Sequence, residues 1–256
     1  MRVDEISYTP DFGKAYRNWK SWSKDDFGHC DGVEARYFEE EMSRSGVVVK
    51  AGMPLLEIGF GNGNFAAWAN ARQLDYTGIE IDPELVERAQ ERGWRTFPAT
   101  LSLENLNLPK APRCIVAFDV IEHLALAQLA ELLKSVSKVL AVDGLFVVRL
   151  PSGDSPFARY IQHGDITHRM TLGSSAIRQL AESFDMKVVQ IRSPALPLRG
   201  IGLRRALRRL GVLAVRWLLT HCIRKAFHGN QLTVITANML VVLRKATTES
   251  NGAESA

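Results

Sequence analysis

Acid is almost absent from one stretch of this chain. From Met186 to Thr248 there is no Asp or Glu, yet 12 of the 32 Lys and Arg fall there. The net charge of +4 therefore hides a basic end, with 20 basic against 28 acidic residues elsewhere. A remainder of that sign repels a long polyanion, so no long nucleic acid is expected as a partner. Cysteine is scarce too. Cys30, Cys114 and Cys222 are odd in number and share no metal-type spacing, which argues against a disulfide framework and suits a reducing compartment. No apolar run approaches the ~20 residues of a membrane span. The opening MRVDEISYTPDFGK lacks the apolar core of a secretory signal, and a cytoplasmic protein is expected. Repeats and low-complexity segments are missing as well. What remains, 256 residues of which 46% are hydrophobic, suits one domain with additions.

The most informative stretch is LLEIGFGNGNF, residues 55–65, an apolar run ending in Glu57, then Gly59, Gly61 and Gly63, then an apolar helix opening. A strand that enters a helix through so short a turn needs residues tolerant of positive φ, and a cofactor lying on the backbone leaves no room for a Cβ. The spacing is G-x-G-x-G rather than the dinucleotide G-x-G-x-x-G, and a carboxylate stands two residues before the first glycine. That carboxylate would repel a pyrophosphate and suits a cofactor with a cationic amino-acid end. Glu80, in the second strand YTGIEID, lies about 20 residues past the loop, where a carboxylate can accept ribose hydroxyls.

In these residues the chain resembles the class I S-adenosylmethionine-dependent methyltransferases. Glu57, Gly59, Gly61 and Gly63 match that family's first motif, and Glu80 its ribose-binding acid. The resemblance implies S-adenosylmethionine as methyl donor and a Rossmann-like, doubly wound seven-stranded α/β sheet with an antiparallel last strand. Asp82, just past the ribose acid, and Asp119, at the end of the fourth strand, are assigned smaller cofactor-pocket roles. The adenine segment around Ala99 to Leu103 departs from the pattern, with Pro98 where many members carry an acid.

Strands and helices alternate after the loop, as a doubly wound sheet requires. Strands are expected over 53–58, 75–81, 94–98, 113–118, 145–150, 186–192 and 232–245. Helices are expected over 62–72, 83–92, 122–140 and 173–184. Residues 1–50 read as an N-terminal helical lid. Their aromatics, Tyr16, Trp19, Trp22, Phe27, Tyr37 and Phe38, either cover the cofactor mouth or pack on the sheet. Residues 51–246 read as the methyltransferase domain, and 247–256 as a disordered tail.

Acceptor chemistry is expected at FDVIEHL, residues 118–124, where the fourth strand ends. A helix beginning near Asp119 would set Asp119, Glu122 and His123 on one face, to bind Mg²⁺ or Mn²⁺ or to place a general base beside a hydroxyl. Plant small-RNA 2'-O-methyltransferases and ubiquinone-pathway O-methyltransferases show a similar cluster linked to a divalent metal. GDITH, residues 164–168, resembles the Asp-x-Thr-His element of bacterial methyltransferases associated with surface polysaccharide and lipopolysaccharide synthesis. His168 would then complete a metal set with Asp119, Glu122 and His123, or act as the base itself. In the plainer reading Asp165 and Thr167 cap a turn and His168 packs beneath it.

Between the last two strands, residues 199–225 form a basic amphipathic helix. Arg204, Arg205, Arg208, Arg209 and Arg216 share one arc, opposite Leu203, Leu207, Leu210, Ala214, Trp217 and Leu218. Its apolar face packs on the sheet or a second subunit, or lies on an anionic membrane. Together these features point to an O-methyltransferase acting on a sugar hydroxyl of a cell-surface glycan or its lipid-linked precursor. The alternatives are an RNA ribose or a quinone-type phenol as acceptor, or a non-catalytic cofactor- or lipid-binding partner protein.

Overall fold

The computed structural model describes residues 10–227 and 234–246. Seven strands form one sheet: β1 (Pro54–Ile58), β2 (Asp75–Glu80), β3 (Thr96–Pro98), β4 (Cys114–Phe118), β5 (Leu145–Pro151), β6 (Met186–Arg192) and β7 (Asn238–Lys245). Their order is β3-β2-β1-β4-β5-β7-β6. The first five pair in parallel, while β7 runs antiparallel between β5 and β6. The expected seven-stranded sheet with an antiparallel last strand is thus present. The strand expected over 232–245 is shorter. Residues 234–237 lie outside the strand, residues 232 and 233 lie outside the described residues, and so does the tail expected over 247–256.

The central strands are buried on both faces, and successive side chains sort onto opposite sides of the sheet. On one side Leu56, Ile115, Phe146, Val148 and Val241 pack with Leu129, Leu132 and Val136 of α5 (Leu126–Val139) and Ile177 of α7 (Ser174–Ser183). On the other, Leu55, Val116, Val147 and Val242 pack with Phe65 and Trp68 of α3 (Asn64–Ala71) and Phe38 and Met42 of α2 (Gly32–Arg44). Asp31 caps α2 through a reciprocal bond with Glu34, which fixes where that helix begins. Asp82 caps α4 (Pro83–Glu91), with Pro83 at its first position.

The lid divides. Helix α1 (Pro10–Trp19) and the turn after it lie over the C-terminal edge of the sheet, while α2 belongs to the core. Of the N-terminal aromatics, Phe38 of α2 lies in the core with Tyr37 packed against it, while Tyr16 and Trp19 of α1 lie outside it. The helix expected over 122–140 starts later. Asp119 adopts a left-handed φ of 57°, residues Ile121–His123 form a single 3₁₀ turn, and α5 begins at Leu126. Helix α8 (Leu203–Phe227) is present where the basic segment was expected, but none of its residues is buried, so its apolar face does not pack on the sheet. A short helix, α6 (Arg159–Gln162), completes the set among the described residues.

Candidate active site

The loop between β1 and α3 is held open by its glycines. Gly59, Gly61 and Gly63 all have positive φ, at 70°, 51° and 76°. A Cβ on Gly59 would stand 2.5 Å from Val120 Cγ2, so this position excludes a side chain on steric as well as conformational grounds. Gly59 N–H donates to the Ile79 carbonyl at 2.8 Å, tying the loop to the end of β2. There Glu80 accepts from Gly61 N–H (2.8 Å), Ile81 N–H (2.7 Å) and Asp82 N–H (3.1 Å). Burial raises its carboxyl pKa despite these three bonds. Carboxylate oxygens have lone pairs to spare beyond these bonds, as acceptance of two ribose hydroxyls requires. Glu57 lies deeper, accepting from Tyr76 O–H at 2.7 Å, and its carboxyl is pushed up to about 8 by burial, with the Glu80 charge adding to the shift and the Tyr76 bond opposing it.

Two acids assigned to the cofactor pocket are already engaged within the protein. Asp82 accepts from Glu84 N–H as the cap of α4 and is ion-paired with Arg17 of α1, so it latches the lid to the sheet edge. Asp119 receives two bonds from the Arg149 guanidinium, whose remaining nitrogen donates to Tyr37 O–H at 2.9 Å. The left-handed turn at Asp119 aims it at β5 instead of along a helix face shared with Glu122 and His123. The expected Asp119–Glu122–His123 face is therefore corrected, and with it the place of Asp119 in a metal set.

The other candidates do converge. Ligand atoms of Glu122, His123 and His168 lie within 4.8 Å of one another, and His123 and His168 stack edge to face at 4.7 Å between centroids. Thr167 Oγ donates to Asp165 Oδ1 at 2.5 Å and stands 2.7 Å from His123 Nδ1. Burial raises the Asp165 carboxyl, but the two bonds from Thr167 outweigh it and hold that pKa below the ordinary value. An ionised Asp165 can only accept, so the Thr167 proton points to it and Thr167 Oγ accepts from His123 Nδ1–H. The free lone pair of His123 is thereby placed on Nε2. Burial and the neighbouring His168 lower the His123 pKa, with the Asp165 charge and the Thr167 backbone acting the other way, so the imidazole is neutral at pH 7.

His168 Nδ1 donates to the Gln162 carbonyl at 3.2 Å, which turns Nε2 toward Asp165 Oδ2 (3.7 Å) and Glu122 Oε1 (4.0 Å). The second oxygen of Glu122 and that Asp165 oxygen are buried without a hydrogen-bond partner. Burial, then the Asp119 charge, pushes the Glu122 carboxyl up to about 8. With His123 Nδ1–H given to Thr167, the Glu122 carboxyl and His168 Nε2 could hold a cation, and an oxygen and nitrogen donor set suits Mn²⁺ better than Mg²⁺.

Lid and cluster meet over the glycine loop. Trp22 lies against Gly61, its Cη2 2.8 Å from where a Cβ would stand, and Tyr16 bridges from Trp22 (5.8 Å between centroids) to His123 (6.3 Å). Lys20 Nζ stands 3.7 Å from Asp165 Oδ2. Tyr16 and Trp22 thus connect the donor loop with the histidine pair.

Residues 34–191 match the family model of the methyltransferase domain. The chain belongs to that family. No curated protein matches the sequence. Among solved structures the chain is similar to a SAM-dependent methyltransferase from Archaeoglobus fulgidus, with 14% identity, TM-score 0.61 and coverage of 92% of this chain and 100% of that one. It is also similar to a TehB-like SAM-dependent methyltransferase from Corynebacterium glutamicum (15%, TM-score 0.56, 93% and 100%). A third is the magnesium protoporphyrin IX methyltransferase of Synechocystis PCC 6803 with bound SAH (10%, TM-score 0.55, 93% and 100%). At such identities these likenesses concern the fold.

The methyltransferase uses S-adenosylmethionine, and the residues present fit that donor: a turn of three glycines in the left-handed region, flanked by Glu57 and Glu80. Several residues of the site were not visible as such in the sequence. Arg149 carried a signal, a lone cation in the apolar strand LFVVRLP. Tyr16 was legible only as one of the N-terminal aromatics and Lys20 carried no signal, because only folding brings α1 over the histidines.

Proposed function

We propose that the methyltransferase transfers methyl groups to a sugar hydroxyl of a cell-surface glycan or its lipid-linked precursor, with His123 as general base. The observation that carries the proposal is the Asp165–Thr167–His123 chain, which leaves a neutral Nε2 lone pair on an imidazole linked through Tyr16 and Trp22 to the donor loop. A hydroxyl is a poor nucleophile, and a positioned imidazole that takes its proton typically contributes 10²–10⁴-fold. S-adenosylmethionine supplies an electrophilic methyl and a neutral thioether leaving group. The protein's own part is to bind, align and exclude water. Glu80 holds the ribose, Glu57 and the glycines hold the amino-acid end, and the α1 lid closes over the acceptor. Glu122 and His168 would hold a divalent cation, which would orient the acceptor oxygen and lower its pKa. The sugar acceptor is supported by the resemblance of GDITH to the polysaccharide-associated enzymes.

The test supplies labelled S-adenosylmethionine to extracts separated into lipid-linked glycan, RNA and small molecules, with and without a chelator. Label in the glycan fraction is expected, and label confined to RNA would sink the acceptor assignment. Chelator-insensitive transfer would remove the cation. Unchanged transfer by a His123→Ala, His168→Ala double variant would remove the proposed base.

A further inference from the structure

Helix α8 has no place in the proposed chemistry and contributes no buried residue to the core. At 1.5 Å per residue its 25 residues span about 37 Å, yet none of them is buried. Leu203, Leu207, Leu210 and Leu218 are exposed, and Trp217 is 71% exposed. At 100° per residue these fall within one arc with Ala214, and Arg204 and Arg209 stand at its two margins. The two-arc pattern is less strict toward the C-terminal half, where Val212, Val215 and Leu219 carry apolar surface round to the basic side. The helix holds seven Lys and Arg and no acid. Its start is fixed to the body: Arg209 donates to the Pro197 carbonyl at 2.7 Å, and the Arg205 charge reaches Asp31, the cap of α2.

We infer that α8 is the surface by which this protein docks on an anionic membrane, lying in the interface with Trp217 and the leucine row inserted and the arginines at the headgroups. Charge complementarity selects this occupant. A second copy packing its own leucine row against this one in a two-fold dimer would bring the margin arginines, Arg204 and Arg209, of the two helices together without a carboxylate on either, and would leave the rest of the basic arc unpaired. A nucleic acid would satisfy the arginines and leave the leucine row in water. An anionic bilayer satisfies both faces at once. No helix among the described residues is long and apolar enough to cross a membrane, so the attachment is peripheral. The inference does not depend on which acceptor is methylated, and its test reads binding without any acceptor.

Flotation of the full-length protein with vesicles of phosphatidylcholine, or of phosphatidylcholine with added phosphatidylglycerol, measures the docking. Partition onto the anionic vesicles alone, reversed by high salt, is expected. Changing Arg204, Arg205, Arg208 and Arg209 together to Gln should weaken it about a thousandfold. A second variant, Leu207→Ala, Leu210→Ala and Trp217→Ala, should weaken it without changing the charge. Circular dichroism and thermal unfolding check that both variants stay folded. Equal binding to neutral vesicles, or undiminished binding by the four-Gln variant, overturns the inference. So does failure to bind anionic vesicles, whether light scattering then shows an α8-dependent dimer or an RNA oligomer binds instead.

Discussion

At the residue scale the glycine loop and the histidine pair make separable demands. Gly59→Ala adds a Cβ 2.5 Å from Val120 Cγ2 at a left-handed backbone position. It should cost about 1–3 kcal/mol in urea unfolding and weaken S-adenosylmethionine binding at least about tenfold by calorimetry. Thr167→Val removes the acceptor that fixes the His123 tautomer. The expected result is a fall in kcat of about 10–100-fold with little change in the KM for the donor. Because the His123 pKa lies below its ordinary value, wild-type activity should rise with pH below neutrality and be level by pH 7. A pH–rate profile of the Thr167 variant that is shifted as well as lowered distinguishes loss of the tautomer from general damage.

Glu57 tests the electrostatics of the same site. Its carboxyl ionises near 8 in the fold, against about 4.5 when unfolded, so the folded state binds the extra proton between those values. The stability this contributes is fully present below about pH 4.5 and is lost as pH rises toward 8, at up to about 1.4 kcal/mol per pH unit. Glu57→Gln should flatten that part of the pH dependence in urea melts between pH 5 and 8. An unchanged slope would mean that the buried carboxyl is not the titrating group.

At the element scale the lid matters most. Arg17 of α1 joins Asp82 and Glu84, and Trp22 rests on Gly61 where the donor must lie. Donor binding therefore requires the turn after α1 to shift. Trp22 fluorescence should change on addition of S-adenosylmethionine, and a Trp22→Phe variant should lose most of that signal. Asp82→Ala would remove both a helix cap and the lid's ion pair. Stopped-flow mixing should then show faster donor dissociation, with stability reduced by about 1 kcal/mol from the cap.

At the scale of the whole molecule the sheet and α8 are energetically separate. Replacing α8 with a short Gly–Ser linker should leave the calorimetric midpoint within about 2 °C, because none of its residues is buried. A large drop would show that α8 covers part of the core. The molecule is thus an acidic body carrying a basic, apolar arm, and seven of the twelve basic residues in the long stretch without acid stand in that arm.

The sheet was legible before folding, because each central strand is a short apolar run bounded by turn residues and the helices between them repeat at their own period. Gly59, Gly61, Gly63 and Glu80 were legible for the same kind of reason: a strand–turn–helix around a cofactor restricts residue type locally. Asp119 was not. Its identity and spacing suited a helical face, and only the left-handed turn at Asp119 and the approach of Arg149 from β5 turned it away from Glu122 and His123. Thr167 read as a cap until the fold set it between Asp165 and His123, 44 positions apart in the chain from that histidine. The sequence by itself determined the fold class and the donor, since both depend on periodicity and on residues close in the chain. Only the tertiary structure decided which acids are occupied, which nitrogen of His123 is free and that α8 stands unburied, because charge pairing and burial depend on neighbours that are distant in sequence.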